Sequence, residues 1–202
     1  YRQAIRYFRA CFVAGVISDS ISQAKARLDV DYAKFANAIN IEWIECVNAT
    51  SGYLNALNLP HQYDFYKEQF DPTQKQVVII SDALRYEVGV QLFAELGKKK
   101  HIATLKPMIA SLPTETKYCK PELFPHNALA LDGTETAVDG TVLSTKALRT
   151  AQLQKFCPDA ECVSYKDLMT VNNMASKRDF FKKSLVYILH DSIDRDGHDS
   201  DL

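Results

Sequence analysis

Two short apolar runs constrain the fold of this chain more than any other feature. Residues 77–80 read Val-Val-Ile-Ile, and residues 185–189 read Leu-Val-Tyr-Ile-Leu, with no charged side chain in either run. Short runs rich in β-branched and aromatic residues are typical of strands, and the lack of polar alternation predicts that both faces are buried. Residues 77–80 therefore suit a central strand. The two runs favour a parallel sheet over an antiparallel one.

The segment between the two runs contains patterns of both helices and strands. Helices are predicted at about residues 84–96, 145–156 and 175–183, and further strands at residues 102–105 and 161–164. The glycine- and threonine-containing stretch from 127 to 144 predicts short strands or an excursion from the main sheet. Strands that alternate with helices indicate an α/β fold, in which helices flank a mainly parallel sheet.

The first 70 residues differ in pattern from the rest of the chain. Apolar residues recur there at spacings of three and four, over residues 5–16 and again over 32–54, as expected for helices. A turn at Pro72 then precedes the first apolar run. The sequence therefore predicts a helical N-terminal region over residues 1–70 and an α/β domain over residues 75–202.

Composition restricts the classes of protein to which the chain can belong. Of its 202 residues, 47% are apolar and 24% are charged, with a net charge of −1, so a core is expected but no general polyanion-binding surface. No apolar run approaches the about 20 residues that span a bilayer, so no membrane partner is expected. The five cysteines are scattered, which is typical of reduced thiols in a cytoplasmic protein. Because the chain starts at Tyr1 and stops within a polar run, we interpret both ends as internal to a longer protein.

Polar side chains follow the predicted strands at the points where the strands end. Asp82 follows the first run, Thr116 lies in the loop after residues 102–105, and His190, Asp194 and His198 follow the last run. Ligands of open α/β sheets bind outside the carboxyl ends of the strands. Carboxylate, imidazole and hydroxyl groups are ligands of zinc or manganese, so these residues predict a metal site.

Each of these residues also has a purely structural interpretation. Asp82 could cap the helix predicted from residue 84, Thr116 could be a turn residue beside prolines, and residues 190–198 could form a solvated surface. A shared site is favoured because the three groups occupy equivalent positions at one edge of the predicted sheet.

Three blocks of sequence resemble those of PglZ domains, which belong to the alkaline phosphatase superfamily and occur in BREX phage-defence systems. Residues 79–87, Ile-Ile-Ser-Asp-Ala-Leu-Arg-Tyr-Glu, resemble the opening signature of the family. Residues 112–126, which begin Leu-Pro-Thr-Glu-Thr-Lys-Tyr, resemble its nucleophile segment and are similar to the Pro-Thr-Lys-Thr segment of nucleotide pyrophosphatases. Residues 186–194 resemble its strand followed by histidine and an Ile-Asp pair. The resemblance extends from about residue 75 to the end.

The resemblance implies an alkaline phosphatase-like fold and a metal-dependent phosphatase or phosphodiesterase. It implies that Thr116, rather than Thr114, is the nucleophile. Asp82 and Thr116 would bind one divalent ion, and Asp194 and His198 a second; both ions are expected to be zinc or manganese. The implied substrate is a phosphoester, either a nucleotide or a nucleic acid, and the implied partners are other BREX defence proteins.

The chain departs from the family pattern in two places. The superfamily completes its metal sites with an Asp-His pair and a further histidine downstream of the residue matched by Asp194, and only four residues follow His198 here. We therefore expect an alkaline phosphatase-like domain truncated at its C-terminus, which alone binds zinc weakly and hydrolyses little. The family's glutamine, apolar residue and glycine after the nucleophile are replaced by Lys117, Tyr118 and Cys119.

Three further residues leave two roles open each. His190 is expected either to contact the substrate or a metal ligand, or to form a structural hydrogen bond. Arg85 either pairs with Glu87 or reaches a phosphate oxygen. Lys117 either assists phosphate binding or is solvated.

The function itself also leaves an alternative open. A degenerate phosphatase fold could act as a non-catalytic docking module in the defence assembly. A flavodoxin-like receiver or nucleotide-binding domain is disfavoured, because its paired acids or glycine-rich phosphate loop are missing.

Overall fold

A computed structural model of the protein describes residues 1–52 and 57–199, with only the backbone described for residues 198 and 199. The chain divides into two compact units, Tyr1–Leu57 and Asn58–Leu202. The described part of the first unit contains helix α1 (Arg2–Val13) and helix α2 (Asp19–Ala49). The Ser18 hydroxyl caps α2 by accepting a hydrogen bond from the amide of Ile21 at 3.4 Å.

The second unit is a mixed α/β domain, with two short 3-10 helices beside its regular elements. In chain order its helices and strands are α3 (Phe65–Gln69), β1 (Gln76–Ser81), α4 (Tyr86–Lys98), α5 (Thr116–Cys119), β2 (Leu129–Asp132), β3 (Glu135–Val138), β4 (Thr141–Val142), α6 (Lys146–Gln154), β5 (Ala160–Ser164), α7 (Tyr165–Thr170), α8 (Met174–Phe180), β6 (Leu185–His190) and α9 (Ser192–Asp199). The 3-10 helices span Gln62–Asp64 and Lys120–Leu123.

The main sheet is parallel, as the sequence predicts, and has the order β1-β6-β5. Residues 185–189 of β6 are all buried, because strands pair on both sides and both faces are covered. The prediction that residues 77–80 form a central strand is wrong for the described sheet, where β1 lies at an edge. One face of β1 is open, with Val77 48% and Ile79 63% exposed.

The core on one face of the sheet is centred on Tyr187, which is fully buried. Its ring packs against Phe124 with centroids 5.1 Å apart, and its hydroxyl donates to the carbonyl oxygen of Leu123 at 3.0 Å. A buried tyrosine needs such a partner for its hydroxyl. The contact holds the 3-10 helix Lys120–Leu123 against the sheet. Val163, Val186 and Ile188 form the core on the other face.

A second, antiparallel sheet joins β2, β3 and β4, which confirms the short strands expected within residues 127–144. Its anchor is Asp139, whose Oδ1 accepts hydrogen bonds from the amides of Asn127 and Ala128, both at 2.9 Å. Its Oδ2 accepts from Nε2 of the buried Gln152 on α6 at 2.8 Å. Burial opposes ionisation of Asp139, but the hydrogen bonds from Gln152 and the two amides outweigh it and lower the pKa.

Two local predictions need correction. Residues 102–105 are not a strand, since they pair with no strand among the described residues and Ile102 is fully exposed. The helix expected from residue 84 begins at Tyr86, and its N-cap position is taken by Arg85. Asp82 is therefore not the cap of this helix.

The helices of the described residues are also short or polar by membrane standards. None combines the length and the apolar character needed to cross a bilayer.

Candidate active site

The backbone of Asp82 extends the parallel ladder one residue beyond β1. Its amide donates to the carbonyl oxygen of His190 at 2.8 Å, which places Asp82 at the carboxyl edge of the sheet beside the end of β6. The chain then turns at Ala83, which has a φ of +59°. This left-handed conformation costs a residue other than glycine about 1–2 kcal/mol. Asp82 Oδ1 accepts the Ala83 amide at 3.1 Å, so the side chain is held at the turn.

Thr116, the first residue of α5, reaches this carboxylate from the neighbouring loop. Its Oγ1 donates a hydrogen bond to Asp82 Oδ1 at 3.2 Å, across 34 residues of sequence. Cys119 contacts the start of this loop, since its Sγ lies 3.2 Å from the carbonyl oxygen of Ser111 and 3.3 Å from that of Pro113. Burial raises the pKa of the Cys119 thiol, so this cysteine packs the loop and is a poor nucleophile.

Lys120 is a site residue that sequence reasoning missed. Its Nζ lies 3.0 Å from Asp82 Oδ2, and the two side chains are only 19% and 18% exposed. The two carboxylate oxygens of Asp82 therefore serve two partners, the Thr116 hydroxyl and the Lys120 ammonium group. The available signal was spacing, because a residue four positions after Thr116 lies on the same side of a helical turn.

Thr116 lines a cavity of about 270 Å³ that also contains Lys117, Lys120 and Arg149. Lys117 is exposed there, with its Nζ 3.2 Å from Glu115 Oε2 and 4.9 Å from the centre of the Tyr118 ring. The hydrogen bond with Glu115 raises the pKa of Lys117. Much of the charge of Lys117 is thus compensated by its neighbour.

His190 is fixed at the end of β6 by two contacts. Its Nδ1 lies 2.8 Å from the Ser81 hydroxyl on the paired strand, and the ring of Tyr165 meets it edge-on at 4.8 Å. These two contacts fix the position of the imidazole between the ends of β1 and β6. Arg85 is exposed at the start of α4.

The second group of predicted metal ligands lies on α9, directly after β6. Asp194 is in the first turn of that helix and is half-buried. Positions 194 and 198 are one turn apart and share a helix face, but the side chain of His198 lies outside the described residues. The structure brings Asp82 and Thr116 into contact, and it places Asp194 after the strand that pairs with β1.

The donor atoms of Asp82 and Thr116 fit a divalent cation by chemical type, since a carboxylate and a hydroxyl oxygen converge within 3.2 Å. They do not make a complete site by themselves. Among the described side chains, no three His, Cys, Asp or Glu residues form a group that could hold a metal ion. The pair therefore supplies two oxygen donors, and the other carboxylate oxygen of Asp82 lies against the Lys120 ammonium group.

Comparison with known families identifies the domain that carries these residues. Residues 65–201 match the family described as the BREX system PglZ alkaline phosphatase-like domain. The chain belongs to the PglZ family. Membership confirms the resemblance found in the sequence and the alkaline phosphatase-like character of the fold.

Two curated relatives carry the names of this family. The alkaline phosphatase-like protein PglZ of Bacillus cereus (strain H3081.97) is 29% identical over 170 residues, which cover 81% of this chain and 20% of the relative. The alkaline phosphatase-like protein BrxZ of Escherichia coli O9:H4 (strain HS) is 32% identical over 149 residues, 69% of this chain and 17% of the relative. The chain thus spans about a fifth of the length of these relatives. No solved structure matches it.

The PglZ match contains the whole candidate site. Asp82, Thr116, Lys120 and Asp194 all lie within residues 65–201, and so does Arg149. The site therefore belongs to the PglZ domain, which begins after the helices of the first unit.

Proposed function

We propose that this PglZ domain is the core of a metal-dependent phosphoester hydrolase, a phosphatase or phosphodiesterase, in which Thr116 is the nucleophile. The observation that carries the proposal is the hydrogen bond from Thr116 Oγ1 to Asp82 Oδ1 at the carboxyl edge of the parallel sheet. This edge is where α/β sheets bind ligands, and the hydroxyl lines a cavity there.

The protein groups around Thr116 prepare it for attack on phosphorus. Asp82 accepts the hydroxyl proton in a hydrogen bond, which leaves the oxygen lone pairs available to an electrophile. Lys120 compensates the charge of Asp82 and adds a cation to the cavity, where an incoming phosphoryl group is negative. Asp82 and Thr116 would hold one divalent ion, zinc or manganese, and Asp194 and His198 a second. Such ions lower the pKa of a bound hydroxyl and neutralise phosphoryl charge.

The family sets the proposed biological context. Because the matched family is that of the BREX system, we place the activity in phage defence, together with other BREX proteins. The phosphoester would then be a nucleotide or a nucleic acid.

One observation favours a non-catalytic alternative. Lys120 already occupies one oxygen of Asp82, and the described side chains provide no group of three metal ligands. A domain that never binds metal could still dock other proteins of the assembly through this fold.

The two functions are separated by assays on the complete gene product. We expect bound zinc or manganese and hydrolysis of an aryl phosphodiester or phosphomonoester, lost on chelation and restored by the metal. Thr116→Ala should lower turnover by about a thousandfold or more, whereas Thr116→Ser should keep part of it. Thr114→Ala, in the same loop and exposed, is the matched control and should behave as wild type.

Two results would oppose the proposal. Equal turnover by wild type and Thr116→Ala would remove Thr116 from the mechanism. A metal-loaded wild type that hydrolyses neither substrate class would favour the docking function.

A further inference from the structure

The cavity beside Thr116 collects positive charge from two distant parts of the chain. Lys117 and Lys120 reach it from the segment that carries Thr116, and Arg149 reaches it from α6. The remaining polar lining is Glu135 at the start of β3, and the rest of the wall is apolar. A volume of about 270 Å³ suits a phosphate group with a small attached moiety.

The three cations differ in how their charge is compensated. Lys117 pairs with Glu115 at 3.2 Å and Lys120 with Asp82 at 3.0 Å. Arg149 is half-buried, and no ion pair or side-chain hydrogen bond involves its guanidinium group in the part of the chain that the structure describes.

Carboxylates do lie near α6, so the guanidinium group of Arg149 does not lack an ion-pair partner simply because no acidic residue is close. Lys146, one turn earlier on α6, does have a carboxylate partner, Glu161 at 3.7 Å. Glu135, the carboxylate in the cavity lining, is exposed and makes no ion pair with Arg149 among the described residues. Partial burial of a charged group without a partner costs free energy. A ligand that supplies negative charge would remove this cost.

We propose that Arg149 binds a phosphate group of the ligand inside this cavity. The planar guanidinium fork can form two parallel hydrogen bonds to phosphate oxygens, and it is less strongly hydrated than an ammonium group. Lys120, on the 3-10 helix that follows α5, contributes a second cation to the same cavity. The inference deepens the proposed function and rests on it only for the identity of the bound phosphate as substrate.

The inference is tested by phosphate binding to the complete gene product after chelation of metals, so that no turnover takes place. Titration calorimetry with inorganic phosphate compares wild type with Arg149→Met, which keeps the aliphatic stem, and with Arg149→Lys, which keeps the charge. Lys146→Met is the matched control on the same helix. Far-UV circular dichroism checks that each variant is folded.

The expected result is a loss of phosphate affinity of about tenfold or more in Arg149→Met, in line with charge-assisted hydrogen bonds. Arg149→Lys should lose less, and Lys146→Met should bind as wild type does. Equal affinity of wild type and Arg149→Met would overturn the inference, and so would the absence of phosphate binding by the folded wild type.

A second arm identifies the source of the phosphate. A nucleoside 5′-monophosphate that binds wild type more tightly than inorganic phosphate, with the same loss in Arg149→Met, identifies a nucleotide ligand. Equal affinities show that the phosphate group alone is recognised. The matching nucleoside, which lacks the phosphate group, is the control, and any affinity it has should be equal for wild type and Arg149→Met. A loss of nucleoside affinity in Arg149→Met as large as the loss of phosphate affinity would show that Arg149 does not act on the phosphate group, and the inference would fail.

The outcome is independent of the proposed mechanism. If Thr116→Ala still hydrolyses substrate while Arg149→Met loses phosphate binding, the nucleophile assignment fails and the anion site stands. If Thr116→Ala is inactive and Arg149→Met binds phosphate normally, the mechanism stands and the anion site fails.

Discussion

Replacing Lys120 by methionine tests whether its ion pair with Asp82 organises the site. Methionine keeps the apolar stem and removes the ammonium group, which lies 3.0 Å from Asp82 Oδ2. Exposed ion pairs contribute about 0–1 kcal/mol, and breaking a fully buried pair costs about 3–5 kcal/mol. Because these two side chains are 19% and 18% exposed, we expect a loss in the free energy of unfolding of about 1.5–3 kcal/mol, the range for hydrogen bonds to charged groups.

The assay is urea unfolding of the chain followed by far-UV circular dichroism. Lys98→Met is the matched control, since Lys98 pairs with Glu95 at a shorter distance, 2.6 Å, but with side chains 70% and 60% exposed. We expect this control to change stability by less than about 0.5 kcal/mol. The double variant Lys120→Met with Asp82→Asn should be less destabilised than the sum of the single variants, by about 1 kcal/mol or more.

The reasoning is refuted if Lys120→Met costs no more than Lys98→Met, or if the two site substitutions are additive. Either result would mean that the ammonium group is solvated and does not stabilise Asp82. The same substitution should act in the opposite direction on metal binding. A cation beside Asp82 repels an incoming divalent ion, so Lys120→Met should tighten zinc binding to the complete gene product several-fold in calorimetry. Weaker zinc binding would contradict this electrostatic account.

Three further substitutions test the framework around the site by urea unfolding. Gln152→Leu removes the donor from the buried carbonyl oxygen of Pro125 and from the part-buried carboxylate of Asp139, and the buried acceptor left unpaired should cost about 1–3 kcal/mol; a loss below about 0.5 kcal/mol would contradict this. Burial raises the pKa of Glu122, so its contribution to stability is fully present below the unfolded pKa and is lost as pH rises through the folded pKa. Glu122→Gln should therefore stabilise the fold by about 1 kcal/mol at pH 8 and less at pH 4, and equal effects at both values would oppose it. Ala83→Gly should relieve the positive φ at some cost in unfolded-state entropy, for a net gain of up to about 1 kcal/mol; a clear loss would show that the turn is unstrained.

The parallel sheet was predictable because the apolar run of β6 is compatible only with a strand buried on both faces. Five consecutive apolar residues leave no face for solvent, so the strand must be covered on both sides. The same reasoning misplaced β1, where Ile79 is 63% exposed in the described sheet. An apolar run indicates that its side chains are buried in the native protein. It does not indicate which neighbouring element buries them.

The site was only half predictable for a related reason. Asp82 follows β1 at the sheet edge, but Thr116 was placed there by a predicted strand at residues 102–105 that the described sheets do not contain. Their meeting was therefore expected from the match to a family signature more than from topology. Lys120 and Arg149 have no such mark, because a lysine or arginine is usually solvated and its partner is decided by distant residues. Arg149 is separated from Thr116 in the sequence by strands β2 to β4. Local sequence does not show that the chain comes back to the same cavity after these strands.

Two of the three cations of the cavity, Lys120 and Arg149, are nevertheless held by rigid parts of the fold. Lys120 belongs to the 3-10 helix that the hydroxyl of the buried Tyr187 ties to the central strand. Arg149 belongs to α6, which buried Gln152 ties to Asp139 and thereby to the second sheet. Positions fixed by buried and satisfied polar contacts change little when a ligand enters, and such preorganisation is what electrostatic recognition of a phosphoryl group requires. The antiparallel sheet β2–β4 thus has a role in the proposed chemistry, because it fixes helix α6 and with it Arg149.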